Sequence, residues 1–309
     1  MLSRRGLLAM AGAAPLVWSL SEGGSASAAV APPADMGVQL WMVRQSMAQD
    51  FPGTLKALAD LGVRKVELAG APDLSGAELR AAFDAAGLAC VSGHLPILQM
   101  TDAELDHRLA YAREIGMTTV AAPMPGFAGL LEVAPADRFA ALMAHPLTAD
   151  DWRWNADRLN QIGEKARSAG VAITYHNHNV EFADVGGQTA MDLLLERVDP
   201  AQAHFQFDVG NAVLGGADPF DLLARHPGRF RSAHLKDWRA PLQPTTRLAS
   251  PASAAFGQGV IDWARWRRAS AEAGIAISFI ERENMPVGEE VAAAGQALQY
   301  FTTLQGNRA

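Results

Sequence analysis

Thr174-Tyr175-His176-Asn177-His178-Asn179-Val180-Glu181-Phe182 follows the apolar run Val171-Ala172-Ile173, which itself follows a helical stretch closed by Ala169-Gly170. Such a run reads as a strand. Alternation along it puts Thr174, His176 and His178 on one face and Tyr175 and Asn177 on the other. Imidazoles two residues apart on one face can converge on one ligand, with Glu181 reaching back from the following loop. Polar groups of this kind cost free energy to bury unless they are paired. Taken alone they would also suit a hydrogen-bonded structural pair at a sheet rim, so their meaning depends on the neighbouring strands.

Outward from this stretch, short apolar runs alternate with amphipathic ones. Strands are expected at 38–43, 64–68, 88–92, 118–122, 203–207, 230–235 and 276–280, besides the run before His176. Helices are expected at 51–61, 75–86, 102–115, 152–169, 189–197, 219–225, 261–273 and 289–304. Ser75 and Glu78 stand at capping-box spacing, and Gly87 stops that helix. The stretch 123–151 is longer than a usual connection and holds a short helical pattern at 137–143. It reads as an insertion, either a lid or a contact surface. Eight strands alternating with about eight helices predict an α/β fold, a single-domain (β/α)8 TIM barrel over 37–305. An open doubly wound sheet would need a glycine-rich phosphate loop after an early strand. Neither G-x-G-x-x-G nor a Walker motif is present, which argues against nucleotide cofactors.

The chain has 309 residues, 49% of them apolar and 19% charged, an ordinary balance for a protein with a sizeable core. A net charge of −7 and a pI near 5.6 argue against a nucleic-acid partner. Cys90 is the sole cysteine, so a disulfide within the chain is excluded, and its apolar setting reads as core. Residues 1–29 read as an export signal. Ser3-Arg4-Arg5-Gly6-Leu7-Leu8 resembles the twin-arginine pattern, an apolar stretch follows, and Ala26-Ser27-Ala28 has the form of a cleavage site. The expected setting is periplasmic or otherwise exported, with the export machinery as a partner and 30–36 as a linker.

Function in such a barrel sits where the strands end. The polar residues there are Glu67, His94, His176, His178, Glu181, Asp208, Asn211, His234, Lys236, Glu281 and Glu283. Carboxylates mixed with imidazoles, and no thiolate, suit one divalent ion of the Mn²⁺, Mg²⁺, Co²⁺ or Zn²⁺ kind.

From Val38 onward the chain resembles the sugar phosphate isomerase/epimerase group of xylose isomerase-like TIM barrels, in its Tyr-His-Asn-His-x-x-Glu-Phe branch. The matching segments are Val38-Gln39-Leu40-Trp41, Gly62 to Glu67, Tyr175 to Phe182, Phe207 to Asn211, His234-Leu235-Lys236-Asp237, Gly257 to Trp263, and Glu281. The resemblance implies one divalent ion held by Asp208, His234 and Glu281. The fifth strand's share falls to Glu181, with His176 or His178 as alternatives. It further implies proton abstraction next to the carbonyl of a sugar or keto-sugar, through an enediolate. His176, His178, Lys236 and Glu281 are then the catalytic candidates, with an ordinary ion pair to Asp237 as the other role for Lys236. Trp41, Glu67, His94, Asn211 and Glu283 are the substrate-binding candidates, and Trp238 and Phe256 could join Trp41 in an apolar wall. An isomerase or epimerase is expected first. A lyase or hydratase acting on 3-keto-glycosides comes next, and a non-catalytic sugar-binding barrel last. A homo-oligomer is compatible with all three.

Overall fold

The computed structural model describes residues 35–70 and 72–306. The export segment 1–29 and residues 30–34 of the linker lie outside the described residues. The first strand, β1 (Met36–Gln39), passes through a 3-10 turn, Leu40–Val43, into α1 (Arg44–Gln49) and α2 (Phe51–Asp60). Then come β2 (Lys65–Ala69), α3 (Gly76–Ala86), β3 (Ala89–His94), α4 (Asp102–Ile115) and β4 (Thr119–Ala122). A 3-10 turn at Ala128–Glu132, α5 (Arg138–Ala144) and α6 (Ala149–Ser168) lead to β5 (Ala172–His176) and α7 (Ala190–Arg197). The last third holds β6 (Ala203–Asp208), α8 (Val209–Leu214), α9 (Pro219–Arg225), β7 (Phe230–Leu235), α10 (Trp263–Ala273), β8 (Ile277–Ile280) and α11 (Glu290–Gly306).

The strands pair in chain order, all parallel, and β8 closes on β1 with Met36 opposite Ser278 and Val38 opposite Ile280. The expected (β/α)8 barrel is what forms. Two readings of local structure change. Leu40–Val43 is not strand but a 3-10 turn, in which Gln39 caps the chain by accepting from Trp41 N at 3.2 Å. Neither α1 nor α8 is among the expected helices; at six residues each is too short to show a helical period.

Alternation sorts the strand side chains into two environments. Val66, Leu68, Val120, Ile173, Tyr175, Phe205, Phe207, Ala233 and Leu235 are buried. Together with Leu55, Leu58, Leu79, Phe83, Leu159 and Ile162 of the helices they belong to one apolar core. The intervening positions carry Gln39, Glu67, Ser92, His176, Gln206, Asp208 and His234, all buried as well. Barrel interiors are ordinarily filled by branched aliphatic side chains; this one is filled by polar groups.

The helices α3 and α4 start where the sequence reading puts them, whereas α6 starts at Ala149, three residues before the expected 152. Capping boxes at Ser75/Glu78, Thr101/Glu104 and Thr148/Asp151 fix α3, α4 and α6. The segment 123–151 is anchored to the barrel. Arg138 Nη1 donates to Gln99 O and to Glu104 Oε2, each at 2.8 Å. Asn155 of α6 brackets Gly126, accepting from its N at 2.7 Å and donating to its carbonyl at 2.8 Å.

Gly163 shows how closely α6 lies on the start of β6: a Cβ there would come 2.2 Å from the Gln202 carbonyl oxygen. Gly163→Ala gains about 1 kcal/mol of helix propensity, but overpacking against rigid backbone costs about 1–3 kcal/mol. The expected net effect is a lower thermal midpoint for the variant. An unchanged or raised midpoint in a calorimetric scan would mean that Gln202 can retreat.

Candidate active site

Glu67 of β2 is the point on which the interior network converges. Its Oε1 accepts from Gln39 Nε2 of β1 at 2.8 Å and from His234 Nε2 of β7. Its Oε2 accepts from Ser92 Oγ of β3 at 2.5 Å and from Gln206 Nε2 of β6 at 2.7 Å. Burial works to raise the Glu67 pKa, but the charge interactions with His94 and His234 and the hydrogen bonds from His234 and Ser92 bring it down to about 2. The substrate-binding role expected for Glu67 therefore does not fit, because the carboxylate is wholly enclosed and every direction around it is taken. Its work is to orient imidazoles.

The Gln206 amide fixes how those imidazoles are protonated. Its Nε2 donates to Glu67, so Oε1 must accept, and it does so from His94 Nε2 at 2.7 Å and His176 Nδ1 at 3.1 Å. His176 Nε2 is left as a lone pair, 3.7 Å from Asp208 Oδ2. Burial first, then the charges of His234 and the other neighbours, hold His176 well below the ordinary imidazole range, so it is neutral. His94, His176 and His234 pack ring against ring, with centroids 4.5–4.8 Å apart.

His234 has a carboxylate at each nitrogen, Glu67 at Nε2 and Glu281 Oε2 at Nδ1, 3.2 Å away. Burial opposes its charge, yet the two carboxylates prevail and raise its pKa to about 10. Lys236, on the same chain segment, places Nζ 2.9 Å from Asp208 Oδ2, 2.7 Å from Glu281 Oε2 and 2.8 Å from Glu283 Oε1. The ion pair weighed for it with Asp237 does not form. That carboxylate accepts instead from Trp238 N, Val260 N, Ile261 N and Trp263 Nε1, holding the loop after β7.

The donor atoms of Asp208, His234 and Glu281 all lie within 4.8 Å of one another, buried. Asp208 Oδ1 caps α8 by accepting from Asn211 N at 2.8 Å, while Oδ2 has no partner in hydrogen-bond geometry. Burial, and then Glu281, push the Asp208 pKa up to about 6 against the pull of Lys236. The counter-charge at Oδ2 is the Lys236 ammonium at 2.9 Å, and the same oxygen faces the His176 lone pair at 3.7 Å, a grouping of electron-pair donors that suits a divalent cation. The residues present thus fit a divalent ion held by Asp208, His234 and Glu281, with His176 as the donor from β5. Glu67 would then keep the proton on His234 Nε2, the usual arrangement of a carboxylate behind a ligating histidine.

Glu181, the ligand expected from the fifth strand, is not part of this group. It folds back as anticipated, but onto its own motif. Oε1 accepts from Tyr175 Oη at 2.6 Å and Oε2 from His178 N at 2.8 Å. Burial pushes its pKa up to about 7. Asn177 grips the neighbouring strand end, accepting from Asp208 N at 2.9 Å and donating to Asp208 O at 3.1 Å. Tyr175, Asn177 and Glu181 thus form a scaffold that presents His176 and His178. His178 stands edge-on to His176 at 5.0 Å, and its Nδ1 is buried without a partner. Burial and Lys236 lower its pKa to about 3, so this imidazole too is neutral.

The remaining expectations divide. Asn211 is buried, and its Nδ2 donates to Asn177 O at 3.3 Å, so it braces the site instead of facing substrate. Trp41 is 48% exposed under the Arg44 guanidinium, in the 3-10 turn that follows the C-terminal end of β1. Trp238 and Phe256 are buried and line no wall; Trp238 Nε1 donates to Gly210 O at 2.8 Å. His94 and Glu283 are partly exposed at the site. Gln39, Ser92 and Gln206 went unnoticed as site residues. The signal for Gln206 is its place two residues before Asp208, set between Phe205 and Phe207.

The pattern of the xylose isomerase-like TIM barrel family matches residues 55–304. The chain belongs to that family. Over 94 residues this xylose isomerase-like barrel is 36% identical to an inosose dehydratase of Lacticaseibacillus casei, and the match spans 30% of each chain. A structure described as a sugar phosphate isomerase/epimerase from Parabacteroides distasonis shares the fold with a TM-score of 0.69 at 23% identity, covering 90% of this chain and 96% of that one. The structure of an IOLI protein with a zinc atom gives a TM-score of 0.64 at 13% identity, covering 88% and 97%.

Removing one member of a buried ion pair costs about 3–5 kcal/mol, and Glu67→Ala should destabilise the metal-free protein by that order. Its pH dependence has a definite sign. The raised His234 pKa contributes stability that is full below pH 6.5 and fades as pH climbs toward about 10. The lowered Glu67 pKa contributes stability that is full above pH 4.5 and fades toward about 2. The gap between wild type and Glu67→Ala in urea titrations should therefore peak between these limits. A gap that stays flat up to pH 10 would show that the two residues are not paired.

Proposed function

We propose that this protein is a divalent-metal-dependent enzyme that removes a proton next to the carbonyl of a keto-sugar or keto-polyol and returns it to give an isomer or epimer. The observation that carries this reading is the buried convergence of Asp208, His234 and Glu281 beside two neutral imidazoles. A bound divalent ion would supply Lewis-acid polarisation of the substrate oxygens, stabilising the enediolate. The chain's own groups do the rest. His178, neutral and with Nδ1 unpartnered, is the group free to take the proton. The Lys236 ammonium offsets negative charge as it develops on the substrate oxygen. The proton held on His178 is returned to the adjacent carbon, while Glu281 and Glu283 keep the Lys236 ammonium in place. The exposed Trp41 offers a face for the sugar ring. The IOLI protein's bound zinc supports a metal in a barrel of this kind.

A second reading keeps the same groups and ends in elimination of a β-hydroxyl or glycosyl group, giving a lyase or dehydratase. The inosose dehydratase stretch favours it, as does the exported setting we propose from residues 1–29, where oxidised glycosides are a plausible substrate class.

Incubating the metal-loaded protein with a panel of keto-sugars and keto-polyols in D₂O, followed by NMR, tests both readings. Deuterium at the carbon next to the carbonyl is expected. Epimers mark the first reading and an unsaturated ketone the second. Asp208→Asn, which keeps the α8 cap, should lose the ion and about 10²–10⁴-fold in rate while the barrel's circular dichroism is unchanged. A loaded protein that exchanges no deuterium across the panel would refute proton abstraction.

A further inference from the structure

We propose that Lys236 is a resident counter-cation that competes with the divalent ion for the same carboxylate oxygens, and that loading the ion drives its ammonium onto Glu283. The inference rests on the metal reading given above and deepens it. Nζ lies 2.9 Å from Asp208 Oδ2 and 2.7 Å from Glu281 Oε2, and these two carboxylates belong to the group that can hold a metal. A divalent ion held at ligand distances of about 2.0–2.2 Å needs those same oxygens. Two cations sharing them in a water-poor interior would repel strongly. One must give way, and only Lys236 is on a flexible stem.

The surroundings define where it goes. Gly210 clears the path of the stem, since a Cβ there would stand 2.3 Å from Lys236 Cγ. The third partner, Glu283, lies 2.8 Å from Nζ and is the most exposed of the three carboxylates, at 21%. It is also held in place by Ser250 Oγ. Glu283 is therefore a ready acceptor at the mouth. Without the ion, the ammonium keeps Asp208 and Glu281 together against their mutual repulsion. With the ion, it is delivered to the side from which substrate enters. By linkage, whatever the ammonium contributes to the empty site it subtracts from ion affinity.

Calorimetric titration of Mn²⁺ into wild type, Lys236→Met and Glu283→Gln, with thermal midpoints before and after loading, tests this. Lys236→Met should bind Mn²⁺ about tenfold more tightly, within the usual range of coupling between sites. Its metal-free midpoint should fall and be restored by the ion. Glu283→Gln, which removes the place of retreat, should bind Mn²⁺ several-fold more weakly. Wild type that binds Mn²⁺ while Lys236→Met binds it no better overturns the competition alone. Should Lys236→Met fail to fold even with Mn²⁺, an unchanged affinity in Glu283→Gln overturns it. If neither wild type nor Lys236→Met takes up Mn²⁺ or Zn²⁺, the metal reading falls, and this inference with it.

Discussion

The contact between Glu67 and His234 joins β2 to β7 through the barrel interior, and much of that interior is arranged to make it tolerable. Burying either charge alone would be prohibitive, since an ion moved into a low-dielectric interior loses several kcal/mol of hydration even after relaxation. Here each Glu67 oxygen is fully satisfied, by Gln39 and His234 on one side and Ser92 and Gln206 on the other. Five strands thus contribute to one carboxylate. Polar networks of this kind are stabilising only when every member is paired, which explains why the strands forgo aliphatic side chains on this face.

Above that base lies a layer that is deliberately incomplete in its hydrogen bonding. His178 Nδ1 is buried and unpartnered, His176 Nε2 is a bare lone pair, and Asp208 Oδ2 has the Lys236 ammonium as counter-charge in place of a well-aligned hydrogen bond. His176 and Asp208 are the last residues of β5 and β6, so these groups stand at the C-terminal end of the strands, where a barrel enzyme does its chemistry. The lower layer is rigid because it is complete, and the upper layer is reactive because it is not. Gln206 connects the two, using its amide nitrogen below and its oxygen above.

The barrel was legible in the sequence because alternation of apolar runs and amphipathic stretches is a local signal. Elements with strong caps, such as α4 behind Thr101 and α9 behind Asp218 and Pro219, match the sequence reading at both ends. Leu40–Val43 was misread because a continuous apolar run does not distinguish a strand from a buried turn. The histidines and carboxylates of the site were also legible as residue types at strand ends. Their division of labour was not. Nothing in the spacing tells whether Glu181 reaches a cation or returns to Tyr175, since both lie within reach of a short loop. Gln39, Ser92 and Gln206 escaped notice because neutral polar residues become informative only once the partner across the barrel is known.

Asp208 spends one oxygen on the first turn of α8 and has the other available to the cation group. A carboxylate shared in this way ties helix geometry to ligand geometry, so neither can drift without the other. Lengthening the side chain by one methylene would disturb both at once. Diversification of substrate range on this scaffold should therefore leave position 208 untouched and work through side chains outside the ion-pair network, such as the exposed Trp41.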